Sequence, residues 1–129
     1  MGKLLKAAFE KRFGRQDHES FADVVEAFFQ EYADDSNIVQ PIMLKGNGLQ
    51  PVFAKLKNGK DALVIVSDVE YMRYFTEQSY VMTNPKTLVK IMKDNEYIDG
   101  IIINPFSTSN CFLPRSDILG ALDQLGWDY

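Results

Sequence analysis

The sequence predicts an α+β fold in a single domain: a mixed β-sheet with an antiparallel meander and hairpin, helices packed on it, and a helical appendage at the N-terminus. Three observations carry that prediction. The chain has 129 residues, 46% of them apolar, and a chain of this size removes roughly two-thirds of its unfolded surface on folding, enough for one real core. The apolar period changes from helical spacing before residue 38 to strand-like alternation after it. Helical stretches then separate the later strands, which allows some of them to run parallel.

Residues 3–13 place Leu5, Phe9 and Phe13 at i, i+4 spacing with lysines elsewhere, a short amphipathic helix that Gly14 can end. Ser20 followed by Asp23 resembles a capping signal, and Phe21, Val24, Val25, Phe28, Phe29 and Tyr32 continue as an apolar stripe. Ile38 to Leu44 reads as a strand closed by Gly46-Asn47-Gly48, and Val52 to Lys57 as the next strand. Asn58-Gly59 predicts a type I′ turn into Ala62–Val66, completing a hairpin. Ser67 or Asp68 can cap a helix through about Glu77, and Tyr80-Val81-Met82 reads as a short strand.

Asn84-Pro85 predicts a helix start, because Asn caps exposed amides and proline at the first position loses no needed donor. Leu88, Ile91 and Met92 give that helix its face. Asp99-Gly100 leads into Ile101-Ile102-Ile103, an unbroken apolar run expected in a central strand buried on both sides. A polar loop over residues 104–110 follows, then the strand Cys111-Phe112-Leu113 and a helix from Ser116 to Leu125 stopped by Gly126. No repeat or low-complexity linker appears. The simplest division is a basic helical segment, 1–16, and an α+β domain, 17–129.

The net charge of −4 conceals an asymmetry: residues 1–16 hold five basic side chains and one acid, which leaves −8 for the rest. An acidic body with no basic stripe after Arg15 speaks against nucleic acid as a partner. The single cysteine, Cys111, without a CxxC or Cys/His cluster, fits a reducing compartment and no structural zinc. No apolar run approaches the roughly 20 residues that span a bilayer, and no secretory signal opens the chain, so the expected location is the cytoplasm. Residues 3–13 could touch an anionic lipid surface or a partner's acidic face, but a helix packed on the domain or swapped onto a second copy is the favoured reading.

No catalytic constellation is legible, and the chain reads as non-catalytic, with no cofactor or metal implied. His18, the only imidazole, stands between Asp17 and Glu19 and before Ser20, but adjacent residues do not aim at one reacting atom and the segment is a polar helix entry. Cys111 has no base near it in sequence and reads as a small buried hydrophobe. The Gly46-Asn47-Gly48 and Asn58-Gly59 segments open no helix and lead to no Gly-Lys-Ser/Thr, so they are turns rather than phosphate loops. The acidic pairs and clusters lack calcium-loop spacing.

The candidate binding loop is Asn104, Pro105, Phe106, Ser107, Thr108, Ser109 and Asn110, which leaves the end of the central strand with hydroxyls and amides around one large aromatic. It admits two readings: a ligand or partner site, or a turn whose polar side chains satisfy their own backbone with Phe106 tucked inward. Tyr71, Tyr74, Phe75 and Tyr80 form a second aromatic group, either surface or core.

The run Asp99-Gly-Ile-Ile-Ile-Asn-Pro-Phe-Ser107, followed by Phe112-Leu113-Pro114 and a helix, resembles the N-terminal-type domain of the enhanced serine sensitivity (SseB) family. Ala62–Glu70, an apolar strand passing into a helix, is similar to a second part of that domain, with Val66-Ser67 where the family commonly has Phe-Thr. The resemblance covers about residues 38–125 and leaves residues 1–37 outside. It implies a bacterial α+β domain of undefined biochemical role, acting in regulation or protein contacts, with Asn104, Pro105, Phe106 and Ser107 carrying the match. The expected function is therefore a cytoplasmic protein-binding domain. The alternatives are an immunity- or antitoxin-like partner of a basic target, a small-molecule enzyme using the 104–110 loop, and a self-associating domain that joins copies through its hairpin edge or first helix.

Overall fold

The computed structural model describes residues 3–12, 18–32, 37–76, 78–107 and 110–126, the side chains of 18–20 excepted. The elements are α1 (Lys3–Arg12), α2 (His18–Tyr32), β1 (Ile38–Lys45), β2 (Gly48–Pro51), β3 (Phe53–Lys55), β4 (Asp61–Ile65), a 3-10 helix (Val69–Tyr74), β5 (Tyr80–Thr83), α3 (Pro85–Asp94), β6 (Ile98–Ile103), β7 (Cys111–Pro114) and α4 (Arg115–Gln124). The fold is α+β with mixed pairing. One sheet has the order β3-β4-β6-β7, with β4 and β6 parallel and the outer pairs antiparallel. The other, β2-β1-β5, is antiparallel throughout.

The two sheets are joined at a corner. Val39 and Val66 exchange backbone hydrogen bonds of 3.1 and 2.9 Å, while the Val52 amide donates to Pro41 and its carbonyl accepts from Val64. The stretch expected as one strand from Val52 to Lys57 thus leaves β1 and pairs with β4 as β3. Pro41 supplies the reason: it has no amide to extend the β1 ladder, and the strand changes partner beside it.

Alternation sorts the apolar residues between two clusters. Leu63, Ile65, Ile101, Ile103 and Leu113 face the helices and pack with Leu5, Val24, Phe28, Phe29, Leu88, Met92, Ile118 and Leu122. Val39, Val64 and Val66 face the other way, under Met72 and Phe75 of the 3-10 segment. β6 is central, as predicted, but Ile102 on this second face is only half-buried, because one short helical turn covers it.

The N-terminal helix is docked. Leu5 is fully buried, and the Glu31 carboxylate at the end of α2 accepts from the Leu4 and Leu5 amides at 3.2 and 2.9 Å. A carboxylate at a helix N-terminus satisfies orphan donors and complements the dipole. Lys11 pairs with Asp23 at 3.3 Å, and the Arg12 guanidinium lies 4.3 Å from the Phe21 ring centre. Phe13 and Gly14 lie outside the described residues.

Several local expectations are corrected. α2 starts at His18, so Ser20 lies within the helix rather than at its cap. The expected helix from Ser67 or Asp68 to Glu77 is a 3-10 helix ending at Tyr74, and the Asp68 side chain makes no capping bond. Three residues per turn put Met72 and Phe75 on one face, which suits covering Val64 and Val66. The hairpin at Asn58-Gly59 is not type I′: among the described non-glycine residues only Asn104 has positive φ, and Gly59 alone carries it here, at 85°. The Gly59 amide donates to Leu56 and the Leu56 amide to Lys60, so the loop is one residue longer, with glycine in the left-handed position. Asp99 and Gly100 lie inside β6, where Asp99 is the extra residue of a bulge between the Asp61–Ile98 and Ala62–Gly100 pairs.

Others stand as read. Asn84 accepts from the Thr87 amide at 2.9 Å with Pro85 opening α3, and Gly126, at φ 70°, follows α4. Arg115 adds a link that no local pattern indicates. Its Nη1 donates to the carbonyls of Met92, Asn95 and Ile98, tying the end of α3 to the start of β6. Among the described residues no helix is long and apolar enough to cross a membrane.

Candidate functional site

β4 and β6 are parallel and end side by side at the Ile65–Ile103 pair, so the segments that leave them start at the same edge of the sheet. Loops at such an edge are common ligand sites. Here one asparagine joins the two exits. The Asn104 amide donates to the Ile65 carbonyl at 2.9 Å and its carbonyl accepts from the Ser107 amide at 3.1 Å. Its side-chain Oδ1 accepts from the Ser67 amide at 2.9 Å, and Nδ2 donates to Ser67 Oγ at 3.1 Å. Ser67 Oγ in turn donates to Asp68 Oδ2 at 2.9 Å.

Asn104 adopts φ 52°, a conformation Asn tolerates better than most side chains, and is 1% exposed. Both ends of its amide are occupied and buried. It therefore acts as a clasp between the two strand exits. Pro105 and Ser107 are half-buried, and Asn110 closes the loop through Nδ2 to the Ser107 carbonyl at 2.6 Å. Thr108 and Ser109 lie outside the described residues. Of the described side chains, Asn110 satisfies the loop's own backbone as the turn reading expects, Asn104 reaches across to Ser67 instead, and Phe106 is not tucked inward.

Phe106 is 61% exposed, and its ring meets that of Phe75 edge-on, with centres 4.9 Å apart and planes at 71°. This contact joins the two aromatic groups that the sequence kept separate. Val69 and Tyr74 are also exposed on the 3-10 helix, whereas Tyr71 is half-buried against the Val39–Val66 cluster. Arg73 stacks over Tyr74, 4.9 Å from its ring centre, and donates to its hydroxyl at 2.8 Å. Phe106 thus leans on the buried Phe75 at the end of the 3-10 helix, on which Val69, Glu70, Arg73 and Tyr74 are exposed. Sequence reasoning missed Ser67 and Asp68 as supports of this loop, because they stand 37 residues or so from Asn104 and carry no local signal for it.

Chemically, this arrangement positions and braces. Ser67 is buried, accepts from Asn104 and donates to a carboxylate, with no imidazole or thiol among its described partners. The His18 backbone opens α2, while Asp17 and the His18 side chain lie outside what is described. Among the described residues no three of His, Cys, Asp and Glu gather as a metal site. Two shallow hollows, along Lys86, Lys90 and Lys93 of α3 and between Ala22 and Gly120, include no residue of the 104–110 loop.

Cys111 is buried in β7, and burial pushes its thiol up to about 11, with the Arg12 charge opposing the shift. A thiol reagent is therefore expected to label the native protein no faster than it unfolds. The folded thiol holds its proton above the unfolded value, so stability falls as pH rises through the window from about 9 to about 11. Chemical unfolding at a series of pH values checks the sign, with Cys111→Ala flattening that part of the profile. No family model, curated protein or solved structure matches the chain.

Proposed function

We propose that this chain is a non-catalytic protein-binding domain, regulatory as its resemblance to the SseB family implies, which receives a partner in the bacterial cytoplasm on the exposed ring of Phe106, with Tyr74 and Val69 of the 3-10 helix as further exposed apolar groups. The observation that supports this reading is Phe106 itself. A phenyl ring left 61% exposed on a loop braced by the Asn104 bonds to Ile65, Ser67 and Ser107 and the Asn110 bond to Ser107 is an aromatic anchor held ready for contact. Anchors of this kind dominate protein interfaces, and holding one rigid reduces the ordering cost of binding. The buried, fully occupied Asn104 amide favours an apolar protein contact over a ligand hydrogen-bonded at that residue.

A photo-crosslinking residue placed at position 106, and as a control at position 90 on the lysine face of α3, tests the reading in living cells. The expected result is a defined protein adduct at 106 that is absent at 90. Adducts of equal yield at both positions, or none at 106, would overturn it. Phe106→Ala should abolish capture of the identified partner while changing stability by less than about 1 kcal/mol, because the ring is mostly outside the core.

A further inference from the structure

We infer that β5 is a self-association strand, along which two copies of this chain pair antiparallel about a two-fold axis at Val81. The inference stands apart from the partner reading, since the pairing uses no atom of Phe106. It begins with the backbone. β5 is the edge of the β2-β1-β5 sheet. Val39 spends its amide and carbonyl on Val66, away from β5, whereas Ile42 donates to the Ser79 carbonyl at 3.0 Å. By the alternation of an antiparallel ladder, Ile38, Gln40 and Ile42 face β5, and Ser79, Val81 and Thr83 face back. The amides and carbonyls of Tyr80 and Met82 are then directed to the open edge.

Apart from its shortness, four residues, the edge lacks the usual protections. Charged residues, proline and bulges keep exposed edges from pairing, yet Gln78-Ser79-Tyr80-Val81-Met82-Thr83-Asn84 contains no charge and no proline, and β1 pairs with β5 in unbroken register. Tyr80, Val81 and Met82 are each exposed by 41–46%. Neutrality suits a second copy: a two-fold axis at Val81 sets that residue against its own copy, so a charge there would meet its like, and the chain as a whole carries −4.

The open groups also select the register. Setting Val81 opposite Val81 of the second copy aligns Tyr80 with Met82 of that copy, and Met82 with its Tyr80. Each aligned pair exchanges two main-chain hydrogen bonds, which uses all four open groups. Tyr80 and Met82 share the sheet face of Val39 and Pro41, so each cross-strand pair sets a thioether against an aromatic ring, a favourable contact. A strand from another protein can form the main-chain bonds, but a copy of this one also brings both ring–sulfur pairs.

Four residues per copy make a small interface, so dimerisation is expected as concentration rises through about 0.1–1 mM. Sedimentation equilibrium on the whole chain measures it. Val81→Lys and Val81→Glu should each weaken dimerisation by about tenfold, because like charges meet at the axis, and mixing the two variants should restore association to at least the wild-type level. If these variants lose their native circular dichroism, Met82→Pro carries the test, since it removes an outward amide while sparing the bonds to β1. A monomeric mass for the wild type at about 1 mM would overturn the inference. So would dimerisation of Val81→Lys or Met82→Pro as tight as the wild type, or a mixture no tighter than its components.

Discussion

Asn104→Ala is expected to destabilise the protein by about 3–4 kcal/mol, the sum of three losses at one position. The Ser67 amide, in a residue 6% exposed, would lose the acceptor 2.9 Å away and remain buried without a partner. Ser67 Oγ would lose its donor. Alanine would also be held at φ 52°, where a Cβ without a compensating side-chain bond is strained. Asn104→Gly separates these losses, because glycine accepts the left-handed conformation and forfeits only the hydrogen bonds; its effect should be smaller by about 1 kcal/mol. Asn104→Asp keeps the acceptor for the Ser67 amide but adds a carboxylate across the same hydroxyl from Asp68. Burial and that neighbour would hold the new carboxyl's pKa above its unfolded value, so this variant should gain stability as pH falls and lose it as pH rises. Urea unfolding followed by circular dichroism measures all three. A loss for Asn104→Ala below about 1 kcal/mol would show that the strand exits hold without the clasp.

Gly100→Ala should be comparably severe, for a steric reason. A Cβ on Gly100 would overlap the Leu113 carbonyl oxygen and come within 2.7 and 2.9 Å of two ring carbons of Phe112. The ring can turn aside, but the carbonyl belongs to the neighbouring strand β7 and moves only if the β6–β7 ladder does. The expected loss is about 3 kcal/mol, at the upper end for overpacking. Gly120→Ala in α4 is the internal contrast. Nothing lies within 4 Å of its added Cβ, and alanine is the better helix former, so a gain of about 0.5–1 kcal/mol is expected. Thermal unfolding of the two variants should move the midpoint in opposite directions. If Gly100→Ala proves neutral, the approach of Phe112 and Leu113 to β6 is looser than described.

These two positions differ in how far the sequence reveals them. Asp99-Gly100 reads only as the lead into Ile101–Ile103, and the role of the glycine depends on β7, which the chain reaches only after the 104–110 loop. Asn104 sits in a segment whose composition signals a turn, and that much is legible. Its tie to Ser67 depends on the parallel pairing of β4 and β6, which brings together residues separated by the 3-10 helix, β5, α3 and β6. Phe106 shows the same limit in reverse. Composition alone leaves it equally suited to a buried or an exposed position, and only the location of Phe75 decides that the ring leans on a neighbour while most of it remains open.

What the sequence by itself determined is local and periodic: the α+β class, the α2 stripe, the Asn84-Pro85 opening of α3, the central place of Ile101–Ile103 and the stop at Gly126. Each follows from backbone preferences and burial patterns within a few residues. The tertiary structure alone decided the change of partner at Val52, the 3-10 turn in place of a longer helix, the capping of α1 by Glu31, the Asn104 clasp and the open edge of β5. Each of these depends on which distant backbone groups lie nearby to accept or donate a hydrogen bond, and that is set by strand order and register rather than by neighbours in the chain.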